Sequence, residues 1–293
     1  MRLLTVRHVS TYRYSVPVRL GDHWMMFRPR DSHDLRLIRT ALEIHPHPKK
    51  LRWLHDVFDN SLAVASFDAE TVELSFASTI TLEHFEVPQP DYQLAAEAQF
   101  FPFAYSAADR VNLERALERR HRSDDIAQWA ASFLGATPLE TMTLLRAMTL
   151  STRQQFSYSR RLERGVQTPS ETLQRRSGSC RDFAVLMIEA VRSLGLAARF
   201  VSGYIFVPET DPASAVGGGA THAWLQVYLP GAGWVDFDPT NNIIGNRNLI
   251  RVAVAWNPED ALPLWGTFIG SMTSFIGLEV SVSVVDETAP PDS

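Results

Sequence analysis

Apolar and polar residues alternate along the first 86 positions, with little helical periodicity. Leu4-Thr5-Val6-Arg7-His8-Val9, Leu35 to Ile44 and Thr71 to Phe85 carry the alternation and are rich in Thr, Val and Ile, which predicts strands. Pro17, Gly21, Pro29, the His45-Pro46-His47-Pro48 stretch and Asp59-Asn60 separate them. The pattern predicts a sandwich-like antiparallel β-domain over residues 1–86. Val87-Pro88-Gln89-Pro90-Asp91 opens a linker over 87–108, because two prolines disfavour both helix and ladder.

The period then changes to that of helices. Asp109 to Arg122 and Ser123 to Leu134 read as two helices. Thr137-Pro138-Leu139-Glu140 combines a capping box with Pro at the first helical position and predicts a helix to about Thr152; Thr168-Pro169-Ser170-Glu171 repeats the signature for a shorter helix, closed or followed by a turn at Gly178. From Asp182, the residues Phe183, Met187, Ala190, Val191 and Leu194 fall at helical spacing and Gly195 ends the run. Arg199 to Val207 reads as a strand and Pro208 to Gly219 as a loop. His222 to Leu229 and Trp234 to Asp238 form a strand pair around Pro230-Gly231-Ala232-Gly233. Leu249 to Ala255 and Leu278 to Val285 are strand-like, and 289–293 read as a frayed tail. The fold class is therefore α+β, with a core over 109–288 that includes the C-terminal strands.

The 293 residues are 45% apolar, enough for two modest domains. A net charge of −5 without a broad basic stripe argues against nucleic acid as a partner. No apolar run approaches the ~18 residues of a membrane span, and the N-terminus turns polar too soon for a secretory signal. One cysteine excludes an intrachain disulfide and suits a reducing compartment. The expectation is a cytoplasmic protein that needs no membrane, cofactor or metal. His45, His47 and His55 with Asp56 and Asp59 lack a ligand spacing and read as a solvated loop. Arg119-Arg120-His121-Arg122 reads as a solvated helix end.

That cysteine changes the picture. Cys180 follows Ser177-Gly178-Ser179 and falls at or near the start of an amphipathic helix, where the dipole favours a thiolate. Downstream lie His222 and Asp238, completing the order of a thiol acyl-transfer site. Register tests the pair. A two-residue turn would put Asp238 and His222 on opposite faces. A three-residue loop, Pro230-Gly231-Ala232, pairs Leu229 with Gly233 and sets Asp238 diagonal to His222, roughly 7–8 Å between backbones. Asp236 is the weaker partner. Cys180 would attack an acyl carbon, His222 take and return the proton, and Asp238 hold the imidazole. The Cys180 N–H is one oxyanion donor; Gln174 and Tyr158 are candidates for a second. Asp182, Trp224 and Thr240 are candidates for lining or supporting the cleft. Singly, each of these residues has a plainer reading: a lone Cys is most often a small buried hydrophobe, and Asp before Pro often starts a turn. The ordered set, each member at an element end, is what points to chemistry.

Ser-Gly-Ser-Cys180-Arg-Asp-Phe-Ala, Thr-His222-Ala-Trp and Gly-Trp-Val-Asp-Phe-Asp238-Pro-Thr-Asn resemble the three blocks of the transglutaminase-like superfamily of papain-type thiol enzymes. Thr11-Tyr12-Arg13-Tyr14-Ser15, Phe27-Arg28-Pro29-Arg30 and Asp56-Val57-Phe58-Asp59-Asn60 are similar to segments of the N-terminal β-domain of its bacterial branch. The resemblance implies a papain-like core in which helices pack on an antiparallel sheet. It also implies amide or isopeptide chemistry on a peptide or protein substrate, as a peptidase, amidase, amine-accepting transferase or amide ligase. A catalytically retired peptide-binding or assembly module is the alternative. Where the family usually carries Gly-Arg-Asp-Tyr after such a strand, this chain has Ala255-Trp256-Asn257-Pro258, so its substrate differs if those family polar groups touch substrate. The calcium ligands of animal transglutaminases have no evident counterpart. The loop Pro208–Gly219 is placed to gate the cleft.

Overall fold

The computed structural model describes residues 1–86, 92–135, 138–160, 165–208 and 216–288. The expected linker opening at 87–91, the Thr137 cap, most of the 208–219 loop and the 289–293 tail lie outside the described residues.

Five strands come first: β1 Arg2–Met25, β2 Leu35–His45, β3 Lys50–His55, β4 Ser61–Ser66 and β5 Glu70–His84. After β6 (Phe100–Phe101) run the helices α1 Ala107–Asn112, α2 Glu114–Leu117 and α3 Asp124–Ala131, then β7 Leu139–Glu140, α4 Thr141–Gln155 and β8 Ser157–Tyr158. Next are α5 Pro169–Arg175, β9 Ser177–Gly178, α6 Cys180–Ser193 and β10 Ala198–Ile205. The chain continues through β11 His222–Leu229, β12 Gly233–Asp238, β13 Ile243–Ile244, β14 Leu249–Ala255, β15 Leu264–Ile269 and β16 Phe275–Asp286.

The first sheet is antiparallel, ordered β2-β5-β1-β4-β3, and curled around the 24-residue β1. Pro17 and Gly21, expected to break this strand, sit where its pairing shifts: between Arg13 and Val18 against β5, and between Leu20 and His23 against β15. Bulges there absorb the missing N–H and bend the strand. A side chain at Gly21 would collide with Thr267 of β15, at 2.2 Å. The C-terminal strands β15 and β16 both pair with β1, so they complete the first sheet and leave the core sheet to β10–β14.

The second sheet, β13-β12-β11-β10-β14, is antiparallel throughout. Its apolar face, including Leu225, Val227 and Phe237, packs on α6 in one core with Ile126 of α3 and Leu144 and Met148 of α4. The two sheets meet through Leu4, Val6 and Ile80 against Tyr204, Ile250 and Val252. Asn60 adds a polar peg, with its amide donating to Val254 O (2.8 Å) and accepting from Val254 N–H (2.9 Å), while Asp56 holds the Asn60 turn. Among the described residues no helix is long and apolar enough to cross a membrane.

Three expectations are corrected. Helix 109–122 is two short pieces, and 119–122 lies beyond them: Ala116 O accepts from buried Arg192 Nε (3.0 Å) and His121 N–H donates to Glu189 (2.8 Å), so α6 claims backbone groups that a continuous helix would use. Helix 123–134 is shorter, ending at Ala131 with Ser132 as its cap. The helix expected from Thr137 begins at Thr141, because Leu139–Glu140 pairs with Phe100–Phe101.

Candidate active site

The site is built at the N-terminus of α6. Ser179 and Asp182 form a capping box there: the Asp182 carboxylate accepts from the Ser179 N–H and hydroxyl (both 2.8 Å). Its other oxygen accepts from the Gln167 N–H (2.7 Å), so one buried side chain fixes both the helix start and the segment before α5. Upstream, the expected capping box at Thr168–Glu171 is present with Pro169 at the start of α5. Arg176, at φ 50°, closes that helix in place of Gly178. Gly178 pairs with Tyr158 in a short parallel β8–β9 ladder, with Ser159 N–H on Gly178 O (2.9 Å). That ladder carries Tyr158 to the approach to Cys180. Cys180 takes the first helical position, whose N–H a helix leaves without an internal partner.

The β11–β12 hairpin supplies the other two groups. Leu229 pairs with Gly233 and Leu225 with Phe237, the register of the three-residue loop. His222 and Asp238 therefore meet across the pair, and His222 Nε2 lies 2.8 Å from Asp238 Oδ2 with both side chains fully buried. Thr240 N–H donates to Asp238 Oδ1 (2.9 Å) and the Asn241 amide to Oδ2 (2.8 Å). Burial alone would keep Asp238 neutral. The His222 imidazole, its hydrogen bond, and those from Asn241 and Thr240 outweigh it and hold the carboxyl below the usual carboxylate range. Burial likewise opposes charge on His222, yet Asp238 and the adjacent Cys180 sulfur push its pKa up to about 10. His222 Nδ1 is buried without a full hydrogen-bond partner among the described residues. Nε2 is committed to the carboxylate, so Nδ1 is the nitrogen free to exchange a proton with sulfur.

Trp224 stacks on His222 (centroids 5.9 Å apart, planes at 27°) and donates from Nε1 to Asp236 Oδ1 (2.6 Å). Asp236 thus serves the indole instead of the imidazole. Burial keeps the Tyr158 phenol protonated, helped by the nearby Cys180 sulfur, with its pKa pushed up to about 12. Gln174 is an exposed residue of α5. Gly217, at φ +96°, lies against the imidazole: a Cβ there would sit 2.9 Å from His222 Nδ1 and 3.8 Å from the Tyr158 hydroxyl. The structure thus brings Cys180, His222, Asp238, Tyr158, Asp182, Trp224 and Thr240 into one region. Cys180 is 6% exposed, so the thiol opens to solvent only narrowly.

The sequence reading missed Asn241 and Gly217. Asn241 was visible within the Asp-Pro-Thr-Asn block, but nothing local shows that its amide turns back to Asp238. Among the described residues, no group of three or more His, Cys, Asp or Glu side chains could hold a metal ion.

Residues 127–239 match the Transglutaminase-like superfamily and residues 4–83 the Bacterial transglutaminase-like N-terminal region. An uncharacterized protein of Mycobacterium tuberculosis is 30% identical over 298 residues, covering 96% of this chain and 91% of its own length. One from Mycobacterium leprae is 31% identical over 300 residues, covering 96% and 98%. A protein-glutamine gamma-glutamyltransferase of Pseudomonas aeruginosa is 36% identical over 75 residues, 25% of this chain and 11% of that protein. The crystal structure of a candidate cysteine protease from Cytophaga hutchinsonii matches with a TM-score of 0.70 at 18% identity, over 99% of this chain and 93% of that one. At that identity the likeness is one of fold.

Proposed function

Since the chain belongs to the transglutaminase-like superfamily, we propose that it performs thiol-dependent acyl chemistry on amide groups of a peptide or protein through a Cys180 thioester. The observation that carries the reading is the buried His222–Asp238 pair at 2.8 Å, with the thiol beside the imidazole. A fully buried imidazolium needs counter-charge. Asp238 supplies it at Nε2, and a Cys180 thiolate supplies it on the side of Nδ1. The thiolate attacks the amide carbon, the tetrahedral oxyanion collapses, and the imidazolium protonates the departing amine. Water or a second amine, deprotonated by His222, then cleaves the thioester, expels the Cys180 thiolate and restores the thiolate–imidazolium pair. Water gives a peptidase or amidase, and an amine gives a cross-linking transferase.

The Cys180 N–H at the helix start is the first oxyanion donor in this scheme. Tyr158 is the second, since its phenol stays protonated far above neutral pH, lies close to Gly217 and feels the Cys180 sulfur. Gln174 is not assigned that part, being exposed on α5. Trp224 shields the imidazole from water, and Asp182 and Thr240 hold the backbone on either side. The lone thiol suits a reducing compartment, and we place the protein in the cytoplasm, which cell fractionation tests.

The test is intact-mass detection of an acyl-enzyme formed from a peptide-amide library, with and without added amines. An adduct on wild type that is absent in Cys180→Ala supports the reading, and its fate with amine identifies the acceptor. No adduct with any amide, together with peptide binding that survives Cys180→Ala, sinks it in favour of a binding module.

A further inference from the structure

Asn241 lies outside the nucleophile, base and carboxylate, yet its side chain touches both the carboxylate and the backbone beside the imidazole. Its Oδ1 accepts from the Val216 N–H (2.7 Å), which fixes the orientation of the amide, because an N–H can be served only by the oxygen. The two amide hydrogens are then spent on Asp238 Oδ2 (2.8 Å) and Val216 O (3.2 Å). The 3.4 Å approach of Nδ2 to His222 Nε2 is accordingly a contact between two donors, because Nε2 gives its own proton to Asp238.

The far side of this grip is residues 216–219. Gly217 follows Val216 directly and backs onto His222 Nδ1, closely enough that any Cβ would intrude. Gly219 O accepts from the Val282 N–H of β16 (3.2 Å), so the stretch is held at both ends. One amide group therefore connects the carboxylate on one side of the imidazole to the peptide backbone on the other.

We propose that Asn241 is a positioning residue, which ties residues 216–219 to the His222–Asp238 pair and so sets both the imidazole's orientation and the access to Cys180. Its consequence for turnover rests on the acyl-transfer reading above, but the tie itself exists whether or not the site turns over. With the tie formed, the ring sits between Asp238 and Gly217, with Nδ1 left for the sulfur. With it broken, Val216 loses both hydrogen bonds to the Asn241 side chain, while Gly219 O keeps its bond to Val282.

Two readouts on the full chain test this without any substrate. The first is hydrogen exchange at the Val216 amide, with Leu225 in β11 as a reference. The second is the ratio of Cys180 labelling rates by a bulky pyrene maleimide and by iodoacetamide. Asn241→Ala should speed Val216 exchange at least about tenfold, leave Leu225 within about twofold, and raise the labelling ratio several-fold. Gly217→Ala, which displaces the same stretch through its Cβ, should raise the ratio equally, and the double variant should add no more than about twofold. Unchanged Val216 exchange in Asn241→Ala overturns the proposal. So does equal acceleration at Leu225, the mark of general destabilisation, and so does full additivity of the two substitutions. A chain inactive on every amide would sink the reaction and leave these outcomes readable.

Discussion

Asn at position 238 would keep the shape of the carboxylate and remove its charge. His222 then loses the partner that holds its proton on Nε2, and thioester formation should fall by about a thousandfold or more, read as single-turnover acylation. The same substitution has a pH signature. The folded-state pKa of His222 is raised, so the imidazolium's share of stability is complete below about pH 6.5 and is lost as pH climbs toward about 10. The folded-state pKa of Asp238 is lowered, so its share is present above the usual carboxylate range and lost on acidification through it. The melting-temperature gap between wild type and Asp238→Asn should therefore be widest at pH 5–6 and shrink by pH 10. A gap that widens with alkalinity would mean that the pair is not charged as described.

At the scale of elements, Asp182 decides whether α6 presents the thiol. Asp182→Ala strips the acceptor from the Ser179 and Gln167 N–H groups and the Ser179 hydroxyl, all buried. Loss of a cap plus an unsatisfied buried donor predicts about 2–4 kcal/mol in urea unfolding, with Asp182→Asn recovering part of it. Gly203 decides how β10 meets β14. A Cβ there would lie 2.1 Å from Ile250 O, so Gly203→Ala should cost more than about 2 kcal/mol. The hairpin that joins His222 to Asp238 was legible in the sequence because only one loop length puts both on one face. The extent of α6 was legible because its apolar spacing and the Gly195 that follows it are local signals. The strands β3 and β4 were not: Ser61–Ser66 is an apolar run without alternation, and all six residues of Lys50–His55 are exposed, so neither carries a period. The early ends of α2 and the late start of α4 escaped for another reason. Arg192, Glu189 and the Phe100–Phe101 strand take up backbone groups from positions far away in sequence, and propensity contains no trace of them.

For the whole molecule, the expectation of an N-terminal β-domain beside an α+β core is met in outline, but the two share more than a linker. Asn60 closes two hydrogen bonds with Val254 on edge strand β14. Asn60→Ala leaves a half-buried N–H and C=O unserved and should cost about 1–3 kcal/mol, lowering the melting temperature by several degrees. If the peg couples the layers, calorimetry should then resolve two transitions where wild type gives one. A single transition shifted only slightly would show that the apolar contact through Tyr204 and Ile250 carries the coupling alone.

The pairing of β16 with β1, from Leu4 against Asp286 to Tyr14 against Phe275, has a bearing on how the protein is made. During synthesis the first strand leaves the ribosome long before its neighbour on that edge exists. Until β16 emerges, β1 offers unpaired amides along much of its length, a template for wrong partners. The strand that finally covers it also brings the Val282 amide to Gly219. The backbone beside the imidazole thus receives its second support only after β16 has emerged, and a chain stalled on the ribosome before β16 should carry a thiol that labels before its pocket has taken shape.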